Sequence, residues 1–444
     1  MNAGEFVSRA ALELWQMEQL RQLFELLKQN AFYSGIIHKV GREPDTGDER
    51  DPWRILQESL DAFKQHCPFT TKTDLSRDQV DHPPYGSNLT FPLESFTRFH
   101  QTSGTTGVPL RWLDTPESWK VLLSCWREVY RAAEIGPKDR VMFTFSFGPF
   151  LGFWSAFEAA ESLGCLCLPG GGLGTRERLN LMMDNAVTVL CCTPTYAIHL
   201  AEVARKEMLD LSSLPLRRLI VAGEPGGSIP ETRGILEALW PTVRVVDHHG
   251  MTEVGPVTFE CPSRPGYLHL IENSYLAEVV DPQTLDPVAD GETGELILTT
   301  LRRHGMPLLR YRTGDLVRME ARASERCDCG RVERAIVGGI LGRTDDMVII
   351  RGVNIYPSAV ERIVRSFRGI SEYRVRVNTV ATLKELEVDI EFEPHFTDIQ
   401  SLAMDLENKF QAAFALRIPV RVVDCGQLHR FELKAKRWIK TGSH

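Results

Sequence analysis

Four short apolar runs recur between segments of helix length: "VMFTFSF" from Val141, "AVTVLCC" ending at Cys192, "LRRLIVAG" ending at Gly223 and "VRVVDHHG" ending at Gly250. Their apolar residues are consecutive rather than alternating, so both faces of each strand must be covered. That is the signature of a parallel sheet with helices on its two sides. The turns that follow such runs, "PGGGLG" after Leu168, "GEPGG" after Ala222 and "HGMTEVGP" after His248, are rich in glycine and proline. In open α/β sheets the carboxyl ends of the strands are where ligands bind.

Beyond this region the pattern changes. "EVVDPQTLDPVADGETGELILTTL" and "LLRYRTGDLVRM" read as antiparallel strands joined by Asp-Pro and Gly turns. After "ILGRTDDMVIIRGVNIYP" a strand pair, a helix, "EVDIEFEP", a helix near Leu402 to Ala415 and "VRVVDC" follow. The expected organisation is a large α/β unit with a strand-rich region over residues 1–343 and a small, mobile α+β unit over residues 344–444. Gly342 to Asp346 would be the hinge. At the N-terminus, Leu12, Trp15, Leu20, Leu23, Phe24 and Leu27 repeat at helical spacing, and no signal-peptide pattern is present.

Composition narrows the function classes. The chain has 444 residues, 43% of them hydrophobic, and a formal net charge of -8 without a basic block, so no nucleic-acid surface is expected. The uncharged stretch Val141 to Phe157 is interrupted by Gly148, Pro149 and Gly152 and is too short to be a convincing membrane span. Ten cysteines without a secretory signal point to a reducing, cytoplasmic setting.

The segment "SGTTG", Ser103, Gly104, Thr105, Thr106 and Gly107, has the composition of a phosphate-wrapping loop. Glycine allows close backbone approach, and hydroxyls and N–H groups bind phosphate oxygens. It lacks the Gly-Lys-Ser/Thr ending of a P-loop, and by itself it equally describes an ordinary turn. Its neighbours decide between the two. "TSGTTGVP", "VAGEPGG", "DHHGMTEVGP", "RYRTGDL", "LGRTDDMVIIRGVNIYP" and "RFELKAKR", in this order between Phe96 and Arg437, resemble the adenylate-forming acyl-CoA synthetase superfamily, and within it the phenylacetate-CoA ligase branch.

That resemblance implies activation of a carboxylic acid with Mg-ATP to an acyl-adenylate, then transfer to coenzyme A. Ser103 to Gly107 would hold the β- and γ-phosphates. Gly223, Glu224 and Pro225 would line the adenine plane. Asp247, His248, His249, Gly250, Met251 and Thr252 would form the nucleotide-facing loop, with His249 where the family usually has Tyr. Glu253 would hold Mg²⁺; Asp315 would accept both ribose hydroxyls; Arg343 would face phosphate or ribose; Asp345 would be the hinge residue. Lys434 matches the lysine brought from the small domain to the α-phosphate, with Lys436 as its neighbouring rival, and Gly352 would give the pantetheine arm passage.

Phe147, Phe150, Ala222 and Gly250 are the candidate lining of the acid pocket, an apolar slot suited to a small aromatic carboxylic acid such as benzoate, anthranilate or phenylacetate. Cys261, His269, Cys327 and Cys329 offer three thiols and an imidazole, the donor set of a closed, structural zinc site. The reading is therefore an AMP-forming aryl-acid:CoA ligase. Its rivals are an adenylation enzyme that passes the acyl group to a carrier-protein thiol or an amine, and a nucleotide-binding module without catalysis. The resemblance also allows a homodimer.

Overall fold

The computed structural model describes residues 6–38, 51–102, 109–145, 147–321, 325–351, 353–380, 383–394, 396–431 and 435–441. At its centre is a five-stranded parallel sheet whose order in space is Leu166–Pro169, Arg140–Phe143, Val189–Cys192, Arg218–Val221, Arg244–Asp247. The consecutive apolar residues of these strands divide between two cores. Val141, Phe143, Val189, Cys191, Ile220 and Val246 face one core, with Trp126, Val129, Ala156 and Ala160 from helices Pro116–Ala132 and Leu151–Ser162. Met142, Leu190, Cys192, Leu219, Val221 and Val245 face the other, with Leu179, Tyr196, Leu200, Leu236 and Trp240. Successive side chains of a strand point to opposite faces, so covering both faces requires apolar residues at every position.

Helices Arg9–Leu27, Ala31–Ile37, Leu60–His66 and Lys72–Asp81 precede the sheet. The first of them packs Leu20, Leu23, Phe24 and Leu27 against Trp53 and Phe63, as its spacing predicts. After the sheet come a three-stranded antiparallel sheet (Thr258–Glu260, Tyr267–Leu270, Ala335–Val337) and a four-stranded one (Tyr275–Val280, Thr293–Thr300, Tyr311–Arg318, Gly342–Arg343). The C-terminal part has a four-stranded sheet of order Val420–Val423, Leu383–Phe392, Ile370–Val380, Trp438–Thr441. Helices Pro357–Arg365 and Ile399–Phe414 share its core through Val360, Val364, Leu406 and Phe410. Among the described residues no helix is long and apolar enough to cross a membrane.

Candidate active site

The parallel strands end together at Phe143, Pro169, Cys192, Val221 and Asp247, and the turns that follow them form one edge of the site. Strands Arg98–Gln101 and Arg111–Asp114 form a hairpin closed by Thr102, whose N–H donates to the Leu110 carbonyl at 3.0 Å. This holds together the described chain on either side of residues 103–108. Ser103 to Gly107 themselves lie outside the described residues, as do Gly352 and Lys434. The hairpin is tied to the segment carrying the aromatic wall, because the Gln101 N–H donates to the Pro149 carbonyl at 2.8 Å.

In the loop after the last parallel strand, the Asp247 carboxylate accepts from Ser228 Oγ at 2.5 Å and from the His248 N–H at 2.9 Å. Both oxygens are engaged inside the protein, so Asp247 shapes the loop. His248 is buried edge-on to Trp126, ring centroids 4.3 Å apart, and burial followed by the neighbouring His249 pushes its pKa down to about 3. It is neutral. The His249 N–H donates to Thr258 Oγ1 at 2.8 Å, and this aims the ring at Asp315: Nε2 and Asp315 Oδ2 are 3.1 Å apart. Neither atom forms a hydrogen bond, although both are buried.

Asp315 stands opposite Arg343 in the register of strands Tyr311–Arg318 and Gly342–Arg343. Its Oδ1 accepts from Arg343 Nη1 at 2.8 Å. Arg343 also holds Asp345, Nε to Oδ1 at 2.8 Å and Nη2 to Oδ2 at 3.1 Å. Against the burial that disfavours its charge, Asp345 and Asp315 push the guanidinium pKa up. The sequence-derived group His249, Asp315, Arg343 and Asp345 is thus one cluster. Asp315 Oδ2, which faces His249 Nε2 but accepts no hydrogen bond, fits a hydroxyl donor such as a ribose diol.

The buried Glu253 points its Oε1 toward Lys72 Nζ, 4.0 Å away, from the first turn of helix Lys72–Asp81. Motif reading does not find Lys72, which lies before the first motif. Nor does it find Arg303, which is 2% exposed and holds the loop from behind. Arg303 donates to Asp114 Oδ1 and Oδ2, both at 2.7 Å, and to the carbonyls of Glu253 at 2.7 Å and Thr252 at 3.2 Å. The hairpin of strands Arg98–Gln101 and Arg111–Asp114 and the loop bearing Glu253 are therefore fastened by one guanidinium. A lone Asp in the apolar strand "RWLD" is the available signal, since a buried carboxylate requires a partner.

The candidate acid wall follows strand Arg140–Phe143. Phe145 stacks on Phe153 at 4.2 Å, Phe147 meets Trp154 at 5.0 Å and Phe157 at 5.5 Å edge-on, and Phe150 meets Phe153 at 6.0 Å. Phe147, Phe150, Ala222 and Gly250 are all partly buried. A Cβ on Gly250 would come within 2.9 Å of the Gly255 carbonyl, so the short hairpin Gly250–Met251 with Gly255–Pro256 needs glycine there. Gly223, Glu224 and Pro225 form the turn after strand Arg218–Val221. The Glu224 carboxylate is held by main-chain N–H groups of Thr195 and Ala435.

Away from these residues, the ligand atoms of Cys261, His269, Cys327 and Cys329 all lie within 4.8 Å of one another. Cys261 and Cys327 sulfurs are 3.6 Å apart, and Cys329 Sγ is 3.3 Å from His269 Nε2. His269 Nδ1 donates to the Glu333 carbonyl at 2.9 Å, leaving Nε2 as the inward donor atom, the arrangement that orients a metal-binding imidazole. Arg264 Nη2 donates to Cys327 Sγ at 3.0 Å and places positive charge beside the thiols.

Residues 93–301 match the family model described as AMP-binding enzyme, and residues 352–441 match that of the AMP-binding enzyme C-terminal domain. The phenylacetate-coenzyme A ligase of Thermus thermophilus is 34% identical over 400 residues, 89% of this chain and 85% of that protein. The chain belongs to the phenylacetate-CoA ligase branch of the adenylate-forming acyl-CoA synthetase superfamily. It is an ATP-dependent, AMP-forming acyl-CoA ligase. The Escherichia coli phenylacetate-coenzyme A ligase is 32% identical over 83% of this chain and 83% of its own length. Among solved structures, a 2-hydroxyisobutyryl-CoA ligase in the postadenylation state with 2-HIB-AMP matches with a TM-score of 0.89 and 26% identity, over 99% of this ligase and 91% of that chain. The same protein with 2-HIB-AMP and CoA in the thioesterification state gives 0.72, over 98% and 91%.

Proposed function

We propose that this ligase activates a small aromatic carboxylic acid and delivers it to free coenzyme A. The observation that carries the reading is the aromatic wall of Phe145, Phe147, Phe150 and Phe153 after strand Arg140–Phe143, in a chain whose curated relatives at 31–34% identity are phenylacetate-coenzyme A ligases. In the first half-reaction a carboxylate oxygen bonds to the α-phosphorus and pyrophosphate leaves. In the second the thiol sulfur of coenzyme A bonds to the acyl carbon, AMP leaves, and the thiol proton is lost.

Asp315 and His249 take the ribose, with Arg343 fixing the Asp315 carboxylate. Glu253 supplies the oxygen ligand for Mg²⁺, which would neutralise charge on the triphosphate, and Lys72 adds a cation on the same side. Ser103 to Gly107 receive the β- and γ-phosphates, Lys434 the developing charge at the α-phosphate, and Gly352 the pantetheine arm. Residues 1–343 and 344–444 move relative to each other about Asp345, whose ion pair with Arg343 links the hinge to the nucleotide cluster. Cys261, His269, Cys327 and Cys329 hold a structural zinc ion that ties strands Thr258–Glu260 and Tyr267–Leu270 to the segment preceding Ala335–Val337.

The test is a comparison of kcat/KM for benzoate, anthranilate, phenylacetate and octanoate. An aryl acid is expected to be preferred by at least about 10-fold, the scale that differences in a hydrophobic pocket reach. A clear preference for octanoate would refute the aryl reading.

A further inference from the structure

Glu224 lies in the turn "GEP", where it would be expected to serve the adenine. Its carboxylate makes two main-chain contacts of its own. Oε1 accepts the N–H of Thr195 at 2.8 Å, in the first turn of helix Pro194–Lys206, where unpaired N–H groups favour an anion. Oε2 accepts the N–H of Ala435 at 3.0 Å, from the residue immediately after Lys434. One carboxylate thus joins a helix of the central sheet to the C-terminal segment 211 positions further along the chain.

The surrounding contacts make this join specific. Two residues beyond Ala435, the buried Arg437 donates to Glu372 Oε1 at 2.6 Å and Oε2 at 3.2 Å, on the C-terminal sheet strand Ile370–Val380. Toward Thr195 Oγ1 it reaches only 3.3 to 3.4 Å. Arg430 and Glu202 are 3.7 Å apart, and Arg205 and Glu393 are 4.0 Å apart. Arg437 is therefore held mainly by its own sheet, while Glu224 makes the short, charge-assisted contact across to the C-terminal segment. The chain as a whole, with these contacts formed, matches the postadenylation state of the 2-hydroxyisobutyryl-CoA ligase at a TM-score of 0.89, against 0.72 for its thioesterification state.

We propose that Glu224 is a positioning residue for adenylation: it fastens the segment behind Lys434 to the N-terminus of helix Pro194–Lys206, and it releases Ala435 for thioester formation. The inference rests on Lys434 as the lysine of the first half-reaction. Because the partner at Ala435 is a main-chain N–H, the contact specifies the placement of the backbone and is indifferent to the side chain there. Thr195 keeps its bond when Ala435 leaves, so the carboxylate remains oriented for the next cycle.

The test uses the full chain and its Glu224→Ala, Glu224→Gln and Lys434→Ala variants. Acid-dependent ATP–pyrophosphate exchange with phenylacetate reads the first half-reaction, and thioester formation from supplied phenylacetyl-adenylate and coenzyme A reads the second. Glu224→Ala is expected to lower the exchange kcat by about 10- to 100-fold, the range for loss of a hydrogen bond to a charged group, with the KM for ATP changed much less and the second half-reaction retained. Glu224→Gln, with only one oxygen acceptor, should fall between Glu224→Ala and the unsubstituted chain. Equal losses in both half-reactions, or undiminished exchange in Glu224→Ala, would overturn the proposal, as would undiminished exchange in Lys434→Ala. Amide hydrogen exchange in residues 435–441 of the substrate-free protein gives a readout independent of the acid. The segment should exchange faster in Glu224→Ala, and unchanged protection would count against the fastening even if phenylacetate were not a substrate.

Discussion

Replacing Arg303 with Met removes the guanidinium that joins Asp114 to the carbonyls of Thr252 and Glu253, while keeping much of the side chain's length. Asp114 is 0% exposed, and the cationic group left beside it would be at most a protonated His100, whose Nδ1 lies 3.9 Å from Oδ2. Removing one member of a buried ion pair costs about 3–5 kcal/mol, because the other charge stays buried without compensation. With an unfolding entropy of about 2.1 cal/mol/K per residue, a cooperative unit of about 300 residues loses about 5–8 °C in Tm for that change. Calorimetry at a fixed scan rate, with urea denaturation where unfolding is reversible, measures it. Arg303→Met combined with Asp114→Asn should recover part of the loss, since the stranded charge is then gone.

The pH dependence has a definite sign. Burial pushes His100 down to about 4, Asp114 opposes this, and Arg303 lowers it further. Between the ordinary histidine value near 6.5 and pH 4 the unfolded chain binds the proton that the folded chain refuses. This contribution therefore favours the fold above that window and is lost on acidification through it. Without Arg303 the His100 pKa rises, so the variant loses less on acidification, and its deficit should be smaller at pH 5 than at pH 8. A Tm within about 1 °C of the unsubstituted protein, or a deficit that grows toward pH 5, would refute the role assigned to the Arg303–Asp114 pair.

Cys327→Ser should lower bound zinc in the purified protein from one equivalent to a small fraction and reduce thermal stability, because a structural zinc contributes directly to folding; elemental analysis that finds no stoichiometric zinc in the unsubstituted protein would count decisively against the site. Asp315→Asn leaves a carboxamide with one acceptor oxygen beside Arg343 and His249, so the KM for ATP should rise by about 10-fold or more, the scale of a lost hydrogen bond to a charged group. An unchanged ATP KM, measured by pyrophosphate release, would place the ribose elsewhere.

The central sheet was legible because its strands are continuous apolar runs. The two cores behind Met142 and Phe143, or Leu190 and Cys191, are the direct reason the runs do not alternate. Short motifs whose order along the chain is distinctive pointed to Glu253, Asp315 and Arg343, and the structure pairs the last two. The contacts that hold those motifs in place were not legible. Arg303 meets Asp114 across 189 positions and Ala435 meets Glu224 across 211, and no local periodicity records which of several arginines, or which main-chain N–H, closes such a pair. Glu224 shows the complementary difficulty, since the motif identifies the turn but does not indicate where a flexible carboxylate on it will point.

The most direct test of the central claim is the stoichiometry of a complete reaction with phenylacetate, Mg-ATP and free coenzyme A, followed by chromatography of nucleotides and thioesters. Equal amounts of AMP, pyrophosphate and phenylacetyl-CoA are predicted, with pyrophosphate release dependent on the acid. Formation of ADP and phosphate, or an adenylate that is never passed to free coenzyme A, would contradict it, the latter favouring a carrier-bound thiol or an amine as the acceptor.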